Sequence, residues 1–409
     1  MLDNKGVPAL SMLDWLQHGL LNFSALQLVV FVLAVTHVTI VSVTVFLHRH
    51  SAHRALDVHP GLAHFFRFWL YMTTGMGTRA WTAIHRKHHA ACETEDDPHS
   101  PVVMGIREIM LRGVEAYRSE AGNEDTLQRF GRGCPDDWLE RNLYSRFPIG
   151  GIGAMLVIDV ALFGVLGLTV WAVQMLWIPV LAAGVINGIG HWWGYRNFEC
   201  GDASRNILPW GILIGGEELH NNHHTYPNSA KLSVKAFEFD LGWAWIRLFE
   251  RLRLARVIST GPVVERVPQK NELDKDAAWA LLNDRFRVMA RYSKEVVKPI
   301  IAQEYAKADQ GTRKLIRRAG RLLCREASLV DARGRERINA AVASSSNIAV
   351  IHDLHQELLA IWAKRGGNME EIIQALREWC QRAESTGVQH LHEFADTLKS
   401  YAMPQEAAA

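Results

Sequence analysis

The sequence predicts an all-α fold, a membrane-embedded helical core with an appended helical domain, on three observations. Ala25 to Leu47 is a run of 23 residues without Asp, Glu, Lys or Arg. Pro148 to Trp193 is apolar for 46 residues, its main polar interruptions being Asp159, Gln174, Asn187 and His191. About 20 apolar residues in a helix cross a hydrocarbon core about 30 Å thick, so the first run is one span and the second is a hairpin of two. Beyond about residue 265 the pattern changes to apolar residues at helical spacing among charged ones. Whole-chain averages hide this contrast: 22% charged residues and a mean hydropathy near zero would describe a cytosolic enzyme.

Each element follows in order. Residues 1–24 lack the basic start and small-residue cleavage site of a secretory signal, and Leu10, Met12, Leu13, Leu16, Leu20 and Leu21 predict a short interfacial helix. The spans are expected at about 25–47, 149–170 and 173–193, the last two joined near Trp171 to Pro179. The stretch 61–78 is apolar and aromatic but short, and it contains Arg67. It is expected to lie in the interface or to be re-entrant, because a crossing would put the histidines on either side of it on opposite faces of the membrane. Arg49 and Arg54 follow the first span, Arg141 and Arg146 precede the second, and Arg196 and Arg205 follow the third. Basic residues stay on the cytoplasmic side, which predicts an N-outside, C-inside chain.

The domain boundary is expected at 265/266, giving 1–265 as the membrane domain and 266–409 as a cytosolic helical domain. Within the latter, Asn368 caps a helix carrying Ile372, Ile373, Leu376, Trp379 and Cys380, and Val388, Leu391, Phe394 and Leu398 mark another. Thr312 to Glu326 is a basic amphipathic segment whose narrow apolar face is Leu315, Ala319, Leu322 and Leu323. A net charge of +2 gives no reason to expect nucleic acid as a partner. Five scattered cysteines without CxxC spacing suggest neither a disulfide framework nor a thiolate metal site.

Nineteen histidines carry the chemistry, and nine of them fall in three clusters: HRHSAH (48–53), HRKHH (85–89) and HNNHH (220–224). Spacing i, i+3, i+4 places His85, His88 and His89, and likewise His220, His223 and His224, on one helix face. His48 and His53 stand where a helix end can aim both rings at one place, with His50 pointing elsewhere. His191 joins them from NGIGHWW, one turn after Asn187, and polar groups at a span are usually functional. Nine imidazoles suit two six-coordinate ions with open positions, though imidazole alone does not choose among zinc, copper, iron and nickel. His18, His37, His50, His59, His64, His99, His352, His355, His390 and His392 are expected to be surface or hydrogen-bonded residues. HPG at 59–61 is too short to indicate haem.

The pattern HxxxxH, HxxHH, HxxHH with NxxxH resembles the membrane-bound acyl-CoA fatty-acid desaturases of the delta-9, stearoyl type, in their bacterial form. DDPHSP (96–101), GHWWGYRNFE (190–199) and GGEELHNNHH (215–224) extend the resemblance over about residues 25–260. It implies two Fe ions held by His48, His53, His85, His88, His89, His191, His220, His223 and His224, with Asn187 reaching a metal through water. It also implies O2-dependent desaturation of a long-chain acyl thioester such as acyl-CoA, with an external electron donor such as ferredoxin or a reductase, and membrane lipid as a further partner. The site would lie on the cytoplasmic side of the cell inner membrane. The chain departs from animal members at Ala83 and Ile84, where charged residues contact the carrier in that branch.

Overall fold

The structure is a computed structural model that describes residues 12–404 apart from 269, 271 and 365. Leu10, Lys5 and the rest of residues 1–11 lie outside the described residues, so the interfacial helix can be followed only from Met12. Among the described residues the chain folds into two compact units, one running to Tyr195 and resuming at Ser204–Thr260, the other formed by Arg196–Ala203 and the chain from Gly261.

In the first unit, Ser24 and Gln27 form a capping box that starts the helix Ala25–Val41, which continues without a break as a π-helix, Ser42–Ala52. An 18-residue window of this 28-residue helix has a mean hydropathy of 2.5. The hydroxyls of Thr36, Thr39 and Ser42 donate to the carbonyls of Val32, Val35 and Val38 at 2.7, 3.1 and 2.7 Å, which satisfies polar groups inside an apolar helix.

The hairpin differs from expectation. Its break falls at Gly164, where φ is +61°, and not at Trp171–Pro179. A Cβ at Gly164 would stand 2.4 Å from the Leu16 carbonyl oxygen, so only glycine fits this turn. Pro179 does not end its helix because the chain widens there into a second π-helix, Pro179–Ile189, which absorbs the missing N–H. The limbs are consequently unequal. Gly150–Phe163 has 14 residues, about 21 Å at 1.5 Å per residue, whereas Leu166–Ile189 has 24. By length and composition two helices, Ala25–Ala52 and Leu166–Ile189, suffice to cross a membrane, and Gly150–Phe163 is a shorter apolar helix. Asp159 and Gln174, the polar residues of the hairpin, bond to each other across it at 3.2 Å. The helix Met12–His18 caps the turn, with Leu20 N–H donating to Ala161 and Val165 N–H to Leu16. That end lies a full helix length away from His191.

Pro60–Thr73 is a helix started by the His59 side chain, which accepts from Gly61 N–H, and this accounts for the HPG sequence. Its buried Arg67 pairs with Asp137 at 2.5 Å and Glu140 at 2.9 Å, which explains a cation inside an apolar stretch. The next helix, Thr78–Ala91, brings His85 Nε2 to 2.8 Å from His53 Nε2, so 61–78 leaves and returns on one side. A short antiparallel pair, Leu56–Val58 with Ala255–Val257, ties the exit of the first histidine cluster to the end of the unit.

The second unit is a helical domain around Tyr292, Leu376, Trp379, Leu391 and Phe394. Asn368 caps Met369–Ser385, whose buried residues include Ile372, Leu376, Trp379 and Cys380, and Gln389–Lys399 buries Leu391, Phe394 and Leu398, as the spacing predicts. Glu265–Arg266 pairs with Tyr401–Ala402, so the chain's return closes on the start of the domain. The boundary is less simple than 265/266, because Arg196–Ala203 belongs here: Glu199 lies 3.5 Å from Arg325 and accepts from Glu326 N–H. All nine candidate histidines lie in the first unit, so a chain ending at Glu265 should keep its full metal content. Its thermal midpoint should fall, since Glu199 loses Arg325. Metal per chain by mass spectrometry, with a melting curve in detergent, checks both; loss of metal on truncation would make the second unit part of the catalytic fold.

Candidate metal centre

The π-helix decides the first cluster. In an α-helix positions 48 and 53 would diverge by about 140° at 3.6 residues per turn. Widening to i→i+5 bonding, with His53 N–H donating to the His48 carbonyl, brings the two ring centroids to 4.9 Å. Thr78–Ala91 presents His85, His88 and His89 from one side, and the one-and-a-half-turn helix His220–Thr225 presents the third cluster. Arg86 locks the first two together by donating to the carbonyls of Ala52 at 3.0 Å and Ser51 at 2.7 Å.

All nine candidate histidines converge, in two adjoining lobes. In one, His48, His53, His85 and His223 place a ring nitrogen each within 4.8 Å of one another; in the other, His88, His191 and His224 do so together with Cys92, a donor outside the expected set. His89 joins through His223, Nε2 to Nε2 at 2.9 Å, and His220 through His191 at 3.0 Å. Asn187 lines the cavity described below. His50 bonds the Leu56 carbonyl and stacks on Phe46, away from the cluster.

Three carboxylates orient the rings. Glu217 contacts His48 Nδ1 at 2.8 Å, Asp97 contacts His88 Nδ1 at 2.9 Å, and Glu93 contacts His191 Nδ1 at 3.2 Å. A carboxylate accepts the Nδ1 proton of a neutral imidazole, which leaves Nε2 as a bare lone pair. His48 Nε2 then faces His223 Nε2 at 3.0 Å. Two nitrogens bound to one ion at about 2.0–2.1 Å stand about 3 Å apart, so this donor set fits metal. Burial, followed by the neighbouring imidazoles, holds His85, His89 and His223 well below the ordinary histidine range, the neutral state that ligation needs. Burial pulls Asp97 upward, but His88, His99 and the Glu93 N–H together hold it well below the ordinary carboxylate range.

The carboxylates escaped the sequence reading, although Asp97 and Glu217 lie in the quoted segments DDPHSP and GGEELHNNHH and Glu93 just before the first, because acidic residues beside histidine clusters are common. His99, expected to be a surface or hydrogen-bonded residue, is another addition: it is buried, stacks on His88 at 4.3 Å, and its backbone N–H donates to Asp97. Asp97→Asn should weaken metal retention about 10–100-fold while leaving every ligand in place. Chelator titration of the loaded protein measures this, and unchanged retention would remove Asp97 from the orienting role.

A cavity of about 640 Å³ opens onto the cluster. Val43, Ile84, Ile152, Trp171, Met175 and Ile186 make its wall apolar, and His48, His85, His88, His220 and Glu217 form its polar end. Trp81 stacks on His85 at 4.9 Å and lines the same space. A mainly apolar chamber with a few convergent polar groups is the form of a site for an apolar ligand.

Comparison with known proteins agrees with this geometry. A family model described as fatty acid desaturase matches residues 24–248. The sn-2 palmitoyl-lipid 9-desaturase of Nostoc sp. is 30% identical over 252 residues, covering 59% of this chain and 84% of the relative. Delta-9 acyl-lipid desaturase 2 of Arabidopsis thaliana is 28% identical over 229 residues, covering 55% and 72%. A separate family model described as transposase matches residues 278–404, in the second unit. Among the described residues, that unit gathers no group of three His, Cys, Asp or Glu donors.

Proposed function

Because this chain belongs to the fatty acid desaturase family, we propose that it inserts a cis double bond, at the delta-9 position, into a long saturated acyl chain. The observation that carries the reading is the apolar cavity whose polar end, with His48, His85, His88 and His220, opens onto the convergent histidine cluster. His48, His53, His85, His88, His89, His191, His220, His223 and His224 would hold two irons, with Asn187 contacting one through water. Bound there, the irons supply the oxidising power that unactivated C–H bonds demand. The balance is one O2, two hydrogens from adjacent methylenes, and two electrons and two protons from outside, giving one alkene and two waters. An electron donor such as ferredoxin or a reductase is therefore required.

The chain's own contribution is position. The walls around Ile152, Trp171 and Met175 exclude water and thread the acyl chain so that one methylene pair meets the polar end, since placement alone distinguishes one methylene from the next. Glu217, Asp97 and Glu93 keep three imidazoles in the tautomer that points Nε2 inward. The helices Ala25–Ala52 and Leu166–Ile189 would cross the inner membrane, with Gly150–Phe163 as the return limb between them and the histidines at the cytoplasmic side.

Acyl-CoA is the first reading of the carrier, from the four-residue gap between His48 and His53. A glycerolipid is the second, favoured by the carriers in the relatives' names and by Ala83 and Ile84, which are buried and apolar. Purified enzyme given labelled stearoyl-CoA or labelled phospholipid, with a reductant, separates these readings. Feeding saturated acids to cells with and without the gene tests the reaction, and hydroxy acids without alkene would reject desaturation in favour of hydroxylation.

A further inference from the structure

Charge is unevenly distributed along this chain. The whole sequence holds 45 Lys and Arg against 43 Asp and Glu, yet residues 310–340 hold nine against three. They form the helices Gln310–Ala319 and Ala332–Ala343, which pack on each other within the second unit. The apolar side of this pair is already used: Ile316, Ala319 and Leu323 are buried in the core of their own domain, together with Ile338 and Ala341. The narrow apolar face of Thr312 to Glu326 therefore packs into its own domain. The opposite side exposes Lys314, Arg317, Arg318, Arg321, Arg333 and Arg337, none of them in an ion pair among the described residues. A domain needing solubility alone would intersperse the two signs.

We infer that this two-helix basic face docks the second unit on the anionic headgroups of the cytoplasmic leaflet. The inference rests on the reading that the first unit is embedded in the membrane. Chain connection supports lipid as the occupant. The second unit resumes at Gly261, four residues after the strand Ala255–Val257, which pairs with Leu56–Val58 just past the end of the helix Ala25–Ala52. Four residues reach at most about 14 Å, so the tether keeps the domain near the surface where the helix emerges. Headgroups there are present at high effective concentration, whereas any soluble polyanion must be recruited. Basic residues near an anionic leaflet each add to binding, and salt screens the attraction.

Full-length protein in nanodiscs of phosphatidylcholine, with or without phosphatidylglycerol, tests this by amine-reactive footprinting of Lys314, with the exposed Lys364 as internal control. Successful incorporation tests embedding separately from docking. The expected result is Lys314 modification slowed about fivefold or more by phosphatidylglycerol. High salt, and the triple variant R317E/R318E/R321E, should restore the rate while Lys364 is unchanged. Equal Lys314 rates in the two lipids would overturn the inference. Protection that appears only on adding duplex DNA or an acidic redox protein, and not with phosphatidylglycerol, would overturn it in favour of that partner.

Discussion

His223→Ala should abolish desaturation, lowering turnover by more than about a thousandfold, and should release metal from the protein. His223 has the largest expected effect because two other candidate ligands meet it directly: its Nε2 stands 3.0 Å from that of His48 and 2.9 Å from that of His89. Alanine removes a donor and leaves two bare lone pairs facing a void, where neighbouring imidazoles have no proton to share. The helix His220–Thr225 should survive, since Thr225 and the buried Asn222 network hold it; Asn222 donates to the Leu232 carbonyl and Glu238, both at 2.9 Å. Membrane insertion should also be unchanged. Iron per chain and product formation are the readouts, with His50→Ala retaining both. A His223→Ala protein with full iron and normal turnover would exclude this residue from the ligand set.

Arg49→Met should destabilise the first unit by about 3–5 kcal/mol, the usual cost of removing one partner from a buried ion pair. Arg49 is 1% exposed and lies beside the histidine cluster. Its guanidinium bonds both oxygens of Asp240, at 2.9 and 3.1 Å, and donates to the carbonyls of Gly215 at 2.9 Å and Ala230 at 2.8 Å. One side chain therefore fastens the first histidine cluster to the loops that flank the third. Methionine fills the space but leaves the buried Asp240 charge without its cation and removes the donor to the Ala230 carbonyl, whereas the Gly215 carbonyl keeps Thr44 and Gly242. Lysine keeps the charge without the planar fork, so it should recover only part of the loss. The thermal midpoint in detergent and the yield of folded protein measure the effect. A midpoint unchanged in Arg49→Met would show that Asp240 finds other partners. The sequence reading places Arg49 among the charges after the first span, and its burial gives it a structural role there as well.

Local patterns were legible. The spacing of HRKHH and HNNHH is a property of one helix turn, and so is the apolar period of Met369–Ser385 and Gln389–Lys399, where Asn368 caps as expected. The first span was legible because it depends only on the absence of charge over a helix's length. The hairpin turn was not, because glycine at 164 and proline at 179 are both breaker residues, and only packing shows which one turns the chain. Gly164 meets the Leu16 backbone in a conformation closed to other residues, whereas Pro179 is absorbed by a π-helix.

The sequence by itself determined which nine imidazoles gather, that the core is helical and apolar, and that a second helical domain follows. Each of these depends on residue type and on spacing within a few turns. Only the tertiary structure decided that Glu217, Asp97 and Glu93 orient His48, His88 and His191, that His99 stacks beside them, and that Arg196–Ala203 belongs to the second unit. It also shaped the cavity and widened the helix that turns His53 toward His48. These features join residues as far apart as His48 and Glu217, and no local period encodes such a pairing. It is set by which surfaces bury each other and by the requirement that every buried charge and imidazole find a partner.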